Sequence, residues 1–573
     1  MAIDNHQIAD LFDQYGCLLE IGNANAFRVR AYHNAARTIR SLGEELAAKV
    51  ARGDDLSKLP TIGEDMAGKI SDILKTGHFK SLNEEARHTP LSLIQLMNVP
   101  GLGPKRIRQI HAALKVETLA ELEAAARTGK LKSLPGFSDR TEAAILEGLS
   151  RIASAGQRMR LDTAESIGLK LLTYLKEDEA VETAEIAGSF RRRRETVGDL
   201  DLVIASDAPT QVMDRFTSYE DVEKVLLKGG TRASVRLKAG LDVDLRVVGA
   251  ESYGAALHYF TGSRAHTIAM RTRARKKDLK INEYGVYKGD TKIAGELEDG
   301  VFISVGLPFI PPELREERGE MEAAAAGMLP HLVKLEDIRG DLHVHTDAGN
   351  GRDSVRAMAL AAKARNHEYI AITDHSKSAH GTHGLDAARL SRQIDAIDRL
   401  NDELDGITIL KSSEVEILKD GQLDLPDHIL KRLDICVGAI HSHFALSSVD
   451  QTNRILRAMD SPYMSILAHP ACRLIGEREP IRFSMDRVFQ SASDCGCALE
   501  INGQPRRLDL DDVSCRRAPA LGVKLVLASG AHSAEQLDDM RFAVDVARRG
   551  WLEAGDILNT LPWPDLKQQL KRA

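Results

Sequence analysis

Two pairs of aspartates have the spacing of a carboxylate metal site. Asp199 and Asp201 are two residues apart in GDLDLVIA, and Asp242 and Asp244 are two apart in DVDLRVVG. Residues two apart in a β-strand project from one face, so each pair would present its carboxylates together. Converging carboxylates repel one another unless divalent cations lie between them, and oxygen ligands suit Mg²⁺ or Mn²⁺. An acidic strand edge in solvent is the alternative for one pair taken alone.

A phosphate-binding pattern precedes the first aspartate pair. Gly188 and Ser189 are followed by Phe190 and by four arginines at 191–194. Backbone N–H groups, a hydroxyl and guanidinium groups can together hold a triphosphate. This order of residue types favours a nucleotide site beside bound cations over a solvated acidic edge.

Histidines are concentrated in the C-terminal part of the chain, where 12 of the 19 lie at or beyond His331. The polar residues that end apolar, strand-like runs there are His343, His345, Asp374, His375, Glu414, His441, His443, His469 and His532. Such a pattern is typical of a β/α barrel with its site at the C-terminal rim. It predicts a metal cluster, and mixed imidazole and carboxylate ligands suit Mn²⁺, Zn²⁺ or Fe²⁺. Metals of this kind can activate water against a phosphodiester.

Three similar turns precede helix-like runs: LPTIG at 59–63, VPGLG at 99–103 and LPGFS at 134–138. Glycine permits a tight turn, and the start of the following helix can bind one DNA phosphate without reading sequence. A single copy would more often be a plain connection between helices, but three copies predict helix-hairpin-helix DNA binding. The predicted DNA contacts are Gly63, Gly101, Gly103 and Lys105.

Length and composition limit the class of protein. A chain of 573 residues and 62.8 kDa is too long for one hydrophobic core, so we expect several domains. No run approaches the ~18 apolar residues of a membrane span, and MAIDNHQIADLF lacks the character of a signal peptide. Six cysteines without a CxxC pair argue against a disulfide framework, so we expect a cytoplasmic protein with no membrane association.

The net charge of −7 is unevenly distributed. Residues 1–160 hold 22 Lys and Arg against 19 Asp and Glu, so the remaining residues carry the whole acidic excess. A basic front joined to an acidic rear suits a DNA-contacting region that is followed by carboxylate-rich metal sites.

Further motifs resemble a known family. The order of Gly-Ser, GDLD and a later aspartate is similar to the nucleotidyltransferase palm. YFTGS at 259–263 and INEY at 281–284 resemble family X DNA polymerases of the polymerase beta type. With the hairpin turns, the resemblance extends from residue 1 to about residue 310.

This resemblance implies how the palm aspartates work. Asp199 and Asp201 would hold both metals, and Asp244 would complete the catalytic one and take the proton of the primer 3′-hydroxyl. Asp242 would be a neighbour rather than a ligand.

The resemblance also implies the nucleotide contacts, which are Gly188, Ser189, Arg192, Tyr259, Phe260, Gly262 and Arg271. Gly188, Ser189 and Arg192 would bind the triphosphate. Tyr259, Phe260 and Gly262 would form the sugar-side wall, and Arg271 would approach the template. Thr267 stands where family members often have an asparagine that touches the base.

The histidine-rich part resembles the polymerase-and-histidinol-phosphatase (PHP) domain that follows the palm in bacterial family X polymerases. The matching motifs are GAIHSHF, ILAHP, ALEING and the tail ARRGWLEAGDILNTLPW. The ligands implied by the match are His343, His345, His375, Glu414, His441, His469 and His532. Asp374 would support a strand end, and the role of His443 stays open.

Two family aspartates are absent from this pattern. Asn350 stands in AGNG, where the family has YSDG, and Gly530 stands in SGAH, where the family has SDAH. Asp347 or Asp353 could replace the first. The loss of two anionic ligands predicts an impaired cluster.

Lys69 matches the lysine that attacks the sugar of an abasic site in polymerase beta-like lyase domains, through a Schiff base. Asp65 stands where relatives have another lysine, which favours a simple phosphate-contacting role instead.

The predicted fold is multidomain: all-α hairpin modules, an α+β palm with thumb, and a distorted β/α barrel. The predicted domains are an N-terminal helix-hairpin-helix (lyase-like) domain at 1–85, fingers at 86–160, palm at 161–248, thumb at 249–312, a linker at 313–339 and a PHP domain at 340–573.

The leading prediction is a monomeric DNA polymerase that fills gaps in DNA repair, using dNTPs and gapped or primed DNA, with a barrel of 3′–5′ exonuclease type. The alternatives are a nuclease or phosphoesterase directed to DNA, and a non-catalytic DNA-binding scaffold. The sequence indicates no protein partner.

Overall fold

A computed structural model of the chain describes residues 5–42, 46–99, 101–155, 158–379 and 382–570. The chain divides into two compact units, residues 1–157 and residues 158–573. Among the described residues, no helix is long and apolar enough to cross a membrane.

The N-terminal unit is helical. Its helices are α1 (Asn5–Ile21), α2 (Ala26–Ser41), α3 (Leu46–Arg52), α4 (Glu64–Thr76), α5 (Lys80–His88), α6 (Pro104–Leu114), α7 (Leu119–Arg127) and α8 (Asp139–Ala155). Two separate apolar cores hold it together, one around Phe12, Tyr15 and Tyr32 and the other around Leu96 and Ile107. The unit therefore contains two helical modules.

The three turns share one backbone feature at their third residue. Thr61, Gly101 and Gly136 have φ values of 65°, 84° and 82°, in the left-handed region. Gly63 and Gly103 are instead extended and immediately precede α4 and α6. The tight bend thus lies two residues earlier than Gly63 and Gly103. Pro100 of the second turn lies outside the described residues.

The second unit begins with a mixed sheet, called the palm sheet here. Its elements in chain order are β1 (Met159–Arg160), α9 (Leu161–Lys176), β2 (Thr183–Ile186), α10 (Gly188–Arg191), β3 (Thr196–Val197), β4 (Asp199–Ala205), α11 (Pro209–Thr217), β5 (Val222–Lys228), β6 (Arg232–Leu237) and β7 (Asp242–Val248). Five strands pair in the order β2-β4-β7-β6-β5, and β1 pairs with β3. Only β4 and β7 are parallel in the five-stranded sheet. This pair places the ends of two aspartate-bearing strands side by side.

A smaller α+β region follows the palm sheet. It contains α12 (Tyr253–Thr261), α13 (Arg264–Arg275), β8 (Leu279–Asn282), β9 (Gly285–Lys288), β10 (Thr291–Ala294), α14 (Glu298–Ser304) and α15 (Glu320–Ala326). The three strands form an antiparallel sheet. Residues 313–339, which were expected to be a linker, contain α15 and bury Arg315 and Glu320 completely. Arg315 lies there because its guanidinium donates to Glu298 and to the carbonyl of Ile310.

The remaining residues form the barrel. Its elements are β11 (Gly340–Val344), α16 (Val355–Ala364), β12 (Tyr369–Ile372), α17 (Ala387–Glu403), β13 (Thr408–Glu416), α18 (Asp427–Leu430), β14 (Ile435–Ala439), α19 (Ser448–Met459), β15 (Ile466–Leu467), α20 (Met485–Cys495), β16 (Ala498–Asn502), α21 (Asp512–Arg517), β17 (Leu525–Ala528), α22 (Met540–Arg549) and α23 (Trp563–Gln569). Its seven strands pair in parallel and in chain order.

The first and last barrel strands approach each other through backbone hydrogen bonds. The N–H of His345 donates to Ala531 (2.8 Å), and the N–H of Gly530 donates to His343 (3.1 Å). Parallel strands that are covered by helices on one side and fill the interior on the other become buried throughout, as β11, β12 and β14 are. The predicted β/α barrel is confirmed, as is the all-α character of the N-terminal modules.

Candidate active sites in the palm and the barrel

The two aspartate pairs lie in register across the palm sheet. Asp199 is opposite Asp242, and Asp201 is opposite Asp244, on the parallel strands β4 and β7. Burial together with the charges of Asp199 and Asp244 raises the pKa of Asp201 to about 7. Burial and Asp244 likewise raise the pKa of Asp199. These carboxylates lack sufficient compensating charge, and the donor set fits divalent cations.

The two aspartates of β7 differ in their partners. Asp242 accepts two hydrogen bonds from the guanidinium of Arg236, at 2.7 and 2.9 Å, and is therefore already paired. Asp244 accepts from the hydroxyl of Ser234, and one nitrogen of Arg232 lies 3.6 Å away. This difference favours Asp244 over Asp242 as a metal ligand, as the family pattern implies.

A cavity of about 810 Å³ opens beside Asp199 and Asp201. Its lining residues are Arg158, Gly188, Ser189, Arg192, Arg194, Asp199, Asp201, Tyr259, Phe260, Gly262, Arg264, Thr267, Ile268 and Arg271. The structure thus brings together every nucleotide-binding residue that the sequence predicted. Gly188 has φ +61°, and a Cβ there would overlap the carboxylate of Asp201, so only glycine fits without displacing that group.

Several cavity residues were missed by the sequence reasoning. Arg158 lies at the start of the second unit, and its guanidinium donates to the hydroxyl and the carbonyl of Thr196, at 2.9 and 2.6 Å. Arg264 and Ile268 lie on α13, on the turns before Arg271. The available signal was the helical spacing of 264, 268 and 271, which places all three on one face.

Arg192 is held on both sides. Its Nη1 donates to the carbonyl of Thr261 (2.6 Å), and its Nε donates to Glu316 (3.1 Å). Arg191, by contrast, pairs with Glu185 and Glu298 away from this cavity. Of these two arginines, Arg192 is the one that lines the nucleotide cavity, as expected.

The barrel histidines converge on one glutamate. His343, His345 and Glu414 offer ligand atoms within 4.8 Å of one another, and so do His375, Glu414 and His441. The Nε2 of His469 lies 2.9 Å from Oε1 of Glu414. The ring of His532 stacks on the ring of His345, with 4.2 Å between the ring centroids. Glu414 is common to both groups, so its carboxylate could serve as a ligand in either of them.

Two further acids orient these imidazoles, and the sequence reasoning missed both. Glu500 accepts from Nδ1 of His343 at 2.7 Å and from the backbone N–H of His469 at 2.6 Å. Glu416 lies 2.9 Å from Nδ1 of His441. A carboxylate behind an imidazole fixes which nitrogen faces a metal. The available signals were the Glu-x-Glu spacing on β13 and a buried acid in ALEING.

The cluster holds polar atoms without hydrogen-bond partners among the described residues. They are Nδ1 of His345, His375 and His469, Nε2 of His441 and Oε2 of Glu414. Burial alone would raise the pKa of Glu414, but His375, His343 and His441 hold it well below its usual range. Nδ1 of His375 and Nε2 of His441 lie 2.9 and 3.2 Å from the Glu414 carboxylate, and imidazole nitrogens gathered around an ionised carboxylate fit transition-metal ions.

Asn350 and Gly530, which stand where the family pattern has aspartates, have different surroundings. Oδ1 of Asn350 is buried and has no hydrogen-bond partner among the described residues. Gly530 has φ +65°, and a Cβ there would lie 2.9 Å from Nδ2 of Asn502. Asn502 is itself fixed, because it donates to Glu500 (3.1 Å) and accepts from the N–H of Gln504 (3.0 Å). Asn502 therefore occupies the space beside residue 530.

The other barrel candidates have structural partners. Asp374 accepts from the N–H of Thr346 and from Gln393, which supports the end of β12. Asp353 accepts from the N–H of Ala534 (2.8 Å), and Asp347 is exposed. His443 is exposed and belongs to neither group of candidate ligands. None of these positions replaces the missing aspartate in the ligand groups that the described residues form.

Lys69 lies on α4 with its ammonium paired to Asp65, whose carboxylate also accepts from Tyr32 at 3.3 Å. The contact with Asp65 occupies the same nitrogen that would have to attack the sugar to form a Schiff base. We expect borohydride to trap no Lys69-dependent adduct on abasic DNA, with Lys75→Ala as a matched control on the same helix. An adduct that forms with the unaltered protein and is lost only in Lys69→Ala would establish a lyase.

The hairpin glycines face open space. Among the described residues, no atom lies within 4 Å of a Cβ built on Gly63 or Gly103, so a larger residue fits there. We expect Gly103→Val to weaken binding to all DNA sequences by about tenfold, because a phosphate contact carries no sequence information. Fluorescence anisotropy at fixed salt measures this, with Gly555→Val, another exposed glycine in open space, as the control. An altered sequence preference at unchanged affinity would contradict a phosphate contact.

Comparisons with known proteins place the chain in a family. A DNA polymerase beta thumb model matches residues 256–316, a helix-hairpin-helix domain matches residues 3–79, and a SAM-like helix-hairpin-helix tandem matches residues 93–151. The chain is 35% identical over 572 residues to the DNA polymerase/3′-5′ exonuclease PolX of Bacillus subtilis (strain 168), covering 99% of each chain. The chain belongs to the family X DNA polymerases.

The barrel of this family X polymerase has relatives of its own. A probable phosphatase of Thermoanaerobacter sp. (strain X514) is 29% identical over 231 residues, which are 38% of this chain and 89% of the relative. A probable phosphatase of Syntrophotalea carbinolica is 26% identical over 230 residues, 38% of this chain and 90% of the relative. These matches confirm the predicted PHP domain in the C-terminal part of the chain.

Proposed function

We propose that this family X DNA polymerase fills gaps in DNA during repair, by adding dNTPs to a primer end in the palm cavity. The observation that carries the proposal is that Asp199 and Asp201 line one cavity of about 810 Å³ with Ser189 and Arg192, while Asp244 lies in register with Asp201 on the neighbouring strand. Hairpin modules that bind the DNA backbone without reading sequence suit a substrate defined by its gap.

Asp199, Asp201 and Asp244 would hold Mg²⁺ or Mn²⁺, which neutralise charge that develops on the transferred phosphate. Asp244, which accepts a hydrogen bond from the hydroxyl of Ser234, would accept the proton of the primer 3′-hydroxyl. Ser189 and Arg192 would bind the triphosphate, and Tyr259, Phe260 and Gly262 would form the wall on the sugar side. The protein's contribution is mainly positioning, since phosphoryl transfer needs little covalent chemistry.

The test is extension of a primer across a short gap by the purified protein in Mg²⁺ or Mn²⁺. The unaltered chain should extend, and Asp199→Ala should not, while both bind the DNA equally. A failure of the unaltered chain to extend in either metal would remove the proposal.

A second activity, 3′–5′ exonuclease digestion, is favoured by the two ligand groups that share Glu414. His343, His345, His375, His441, His469 and His532 would hold Mn²⁺, Zn²⁺ or Fe²⁺ with it. Such metals lower the pKa of bound water for attack on a phosphodiester. Asn350 and Gly530 supply no negative charge, so we propose that the exonuclease activity is weak and that polymerisation is the main reaction. We also propose that the protein acts as a monomer.

The double variant Asn350→Asp, Gly530→Asp should raise 3′–5′ digestion of single-stranded DNA in Mn²⁺ by about tenfold or more, without changing primer extension. Gly530→Asp requires Asn502 to move, so the double variant should first be checked for an unchanged melting temperature. The matched control is the single variant Gly530→Asn, in which Asn350 is kept. It has side chains of the same size as the double variant at both positions, but without the charges. Brisk digestion by the unaltered chain that His343→Ala abolishes would show that the departures are tolerated.

A further inference from the structure

Helix α22 of the barrel presents charged residues to the palm. Arg541, Asp545 and Arg549 are spaced four residues apart, so they share one side of the helix. We propose that Asp545 and Arg549 are positioning residues for nucleotide binding, because they hold the turn at 192–194 and thereby set the guanidinium of Arg192. The inference rests on the proposed role of Arg192 at the triphosphate.

The turn has a backbone conformation that needs support. Arg193 has φ +55°, in the left-handed region that L-residues other than Asn and Asp rarely adopt. Its guanidinium donates to Asp545 of the barrel (2.8 Å) and to Glu165 of α9 (2.8 Å), and all three side chains are largely buried. Arg541 of α22 pairs with the other oxygen of Glu165. The barrel and the palm together therefore hold the strained residue next to Arg192.

Arg549 holds the preceding residue by its backbone. Its Nη1 donates to the carbonyl of Arg192 (2.6 Å) and to Glu316 (3.1 Å), and its Nη2 donates to Asp512 (2.7 Å). The same oxygen of Glu316 accepts from Nε of Arg192. One buried carboxylate is thus shared between the nucleotide-cavity arginine and a barrel arginine that is 5% exposed.

Loss of Arg549 has a definite consequence for Arg192. Glu316 would retain Arg192 at 3.1 Å and, more distantly, Arg194 at 3.8 Å, and a buried carboxylate that loses one partner binds the nearest remaining one more firmly. The guanidinium of Arg192 would then be drawn to Glu316 and away from an incoming triphosphate. The palm aspartates are not touched by this network, so the chemical step should be affected less than nucleotide binding.

The variants to compare are Arg549→Met, Arg549→Lys and Asp545→Asn, with Arg548→Met as the matched control. Arg548 lies on the same helix and pairs with Glu313 (2.8 Å) and the carbonyl of Val333 (3.1 Å), without contact to the turn. Asp545→Asn preserves size, so it keeps the test open if Arg549→Met does not fold. The measurements are kcat and KM for one dNTP on a one-nucleotide gap, and the dNTP Kd on a dideoxy-terminated primer.

We expect Arg549→Met and Asp545→Asn to raise KM and Kd by about fivefold to tenfold with kcat within about threefold, and Arg549→Lys to restore part of the loss. Arg548→Met should leave KM within about twofold of the unaltered value. Unchanged KM and Kd in both Arg549→Met and Asp545→Asn would overturn the inference. An equal rise of KM and Kd in Arg548→Met would overturn it as well. Absence of extension by the unaltered chain would instead count against the proposed function, and the Kd comparison does not depend on turnover.

Discussion

Asp201→Asn should lower the rate of primer extension by about 10³-fold or more while DNA binding stays unchanged. The substitution removes charge from a palm carboxylate whose pKa is raised to about 7 by burial, Asp199 and Asp244. A group that stabilises transition-state charge in a buried site typically contributes two to three orders of magnitude or more. Single-nucleotide incorporation under saturating dNTP measures the loss.

The matched control is Asp242→Asn, one strand away on the same face. Asp242 is already paired with Arg236, so its amide variant should extend primers within a few-fold of the unaltered rate. Equal losses in the two variants would mean that the palm needs all four carboxylates for its metals, and the assignment of Asp244 over Asp242 would be wrong.

Glu414→Gln should remove most of the metal from the barrel and abolish 3′–5′ digestion. Both candidate ligand groups include this carboxylate, and an amide offers one neutral oxygen in place of an anionic bridge. Elemental analysis after dialysis measures the metal directly, independently of nuclease activity. Primer extension should persist, because Glu414 does not line the nucleotide cavity.

His443→Ala is the control for the barrel prediction, since His443 is an exposed histidine that belongs to neither ligand group. It should retain the metal content of the unaltered protein. Metal content that is the same in Glu414→Gln and in the unaltered protein would exclude Glu414 as a ligand.

The sequence predicted the ligands better than it predicted the groups that orient them. Asp199 and Asp201 are two apart on one strand, and the histidines end successive strands, so local spacing reveals them. Glu500 and His343 are 157 residues apart and meet only because the barrel brings β16 near β11. Such a contact depends on strand order and closure, which short-range patterns do not contain.

The same limit applies to the contacts between palm and barrel. The tail motif containing Arg549 indicated the family, but its contact with the carbonyl of Arg192 joins residues 357 apart. The hairpins show a smaller limit: Thr61 takes the left-handed position that Gly101 and Gly136 take in the other two turns. The glycine pattern therefore located the turns, but in the first turn the left-handed residue is Thr61 and not the glycine, Gly63.

We propose that the chain carries two separate metal-dependent sites and that the palm site performs DNA synthesis. The most direct test is single-nucleotide gap filling by the unaltered protein, Asp199→Ala and His343→Ala, prepared and assayed together. We predict extension by the unaltered protein and by His343→Ala at similar rates, and none by Asp199→Ala. Extension that survives in Asp199→Ala, or is lost in a folded His343→Ala, would contradict the account.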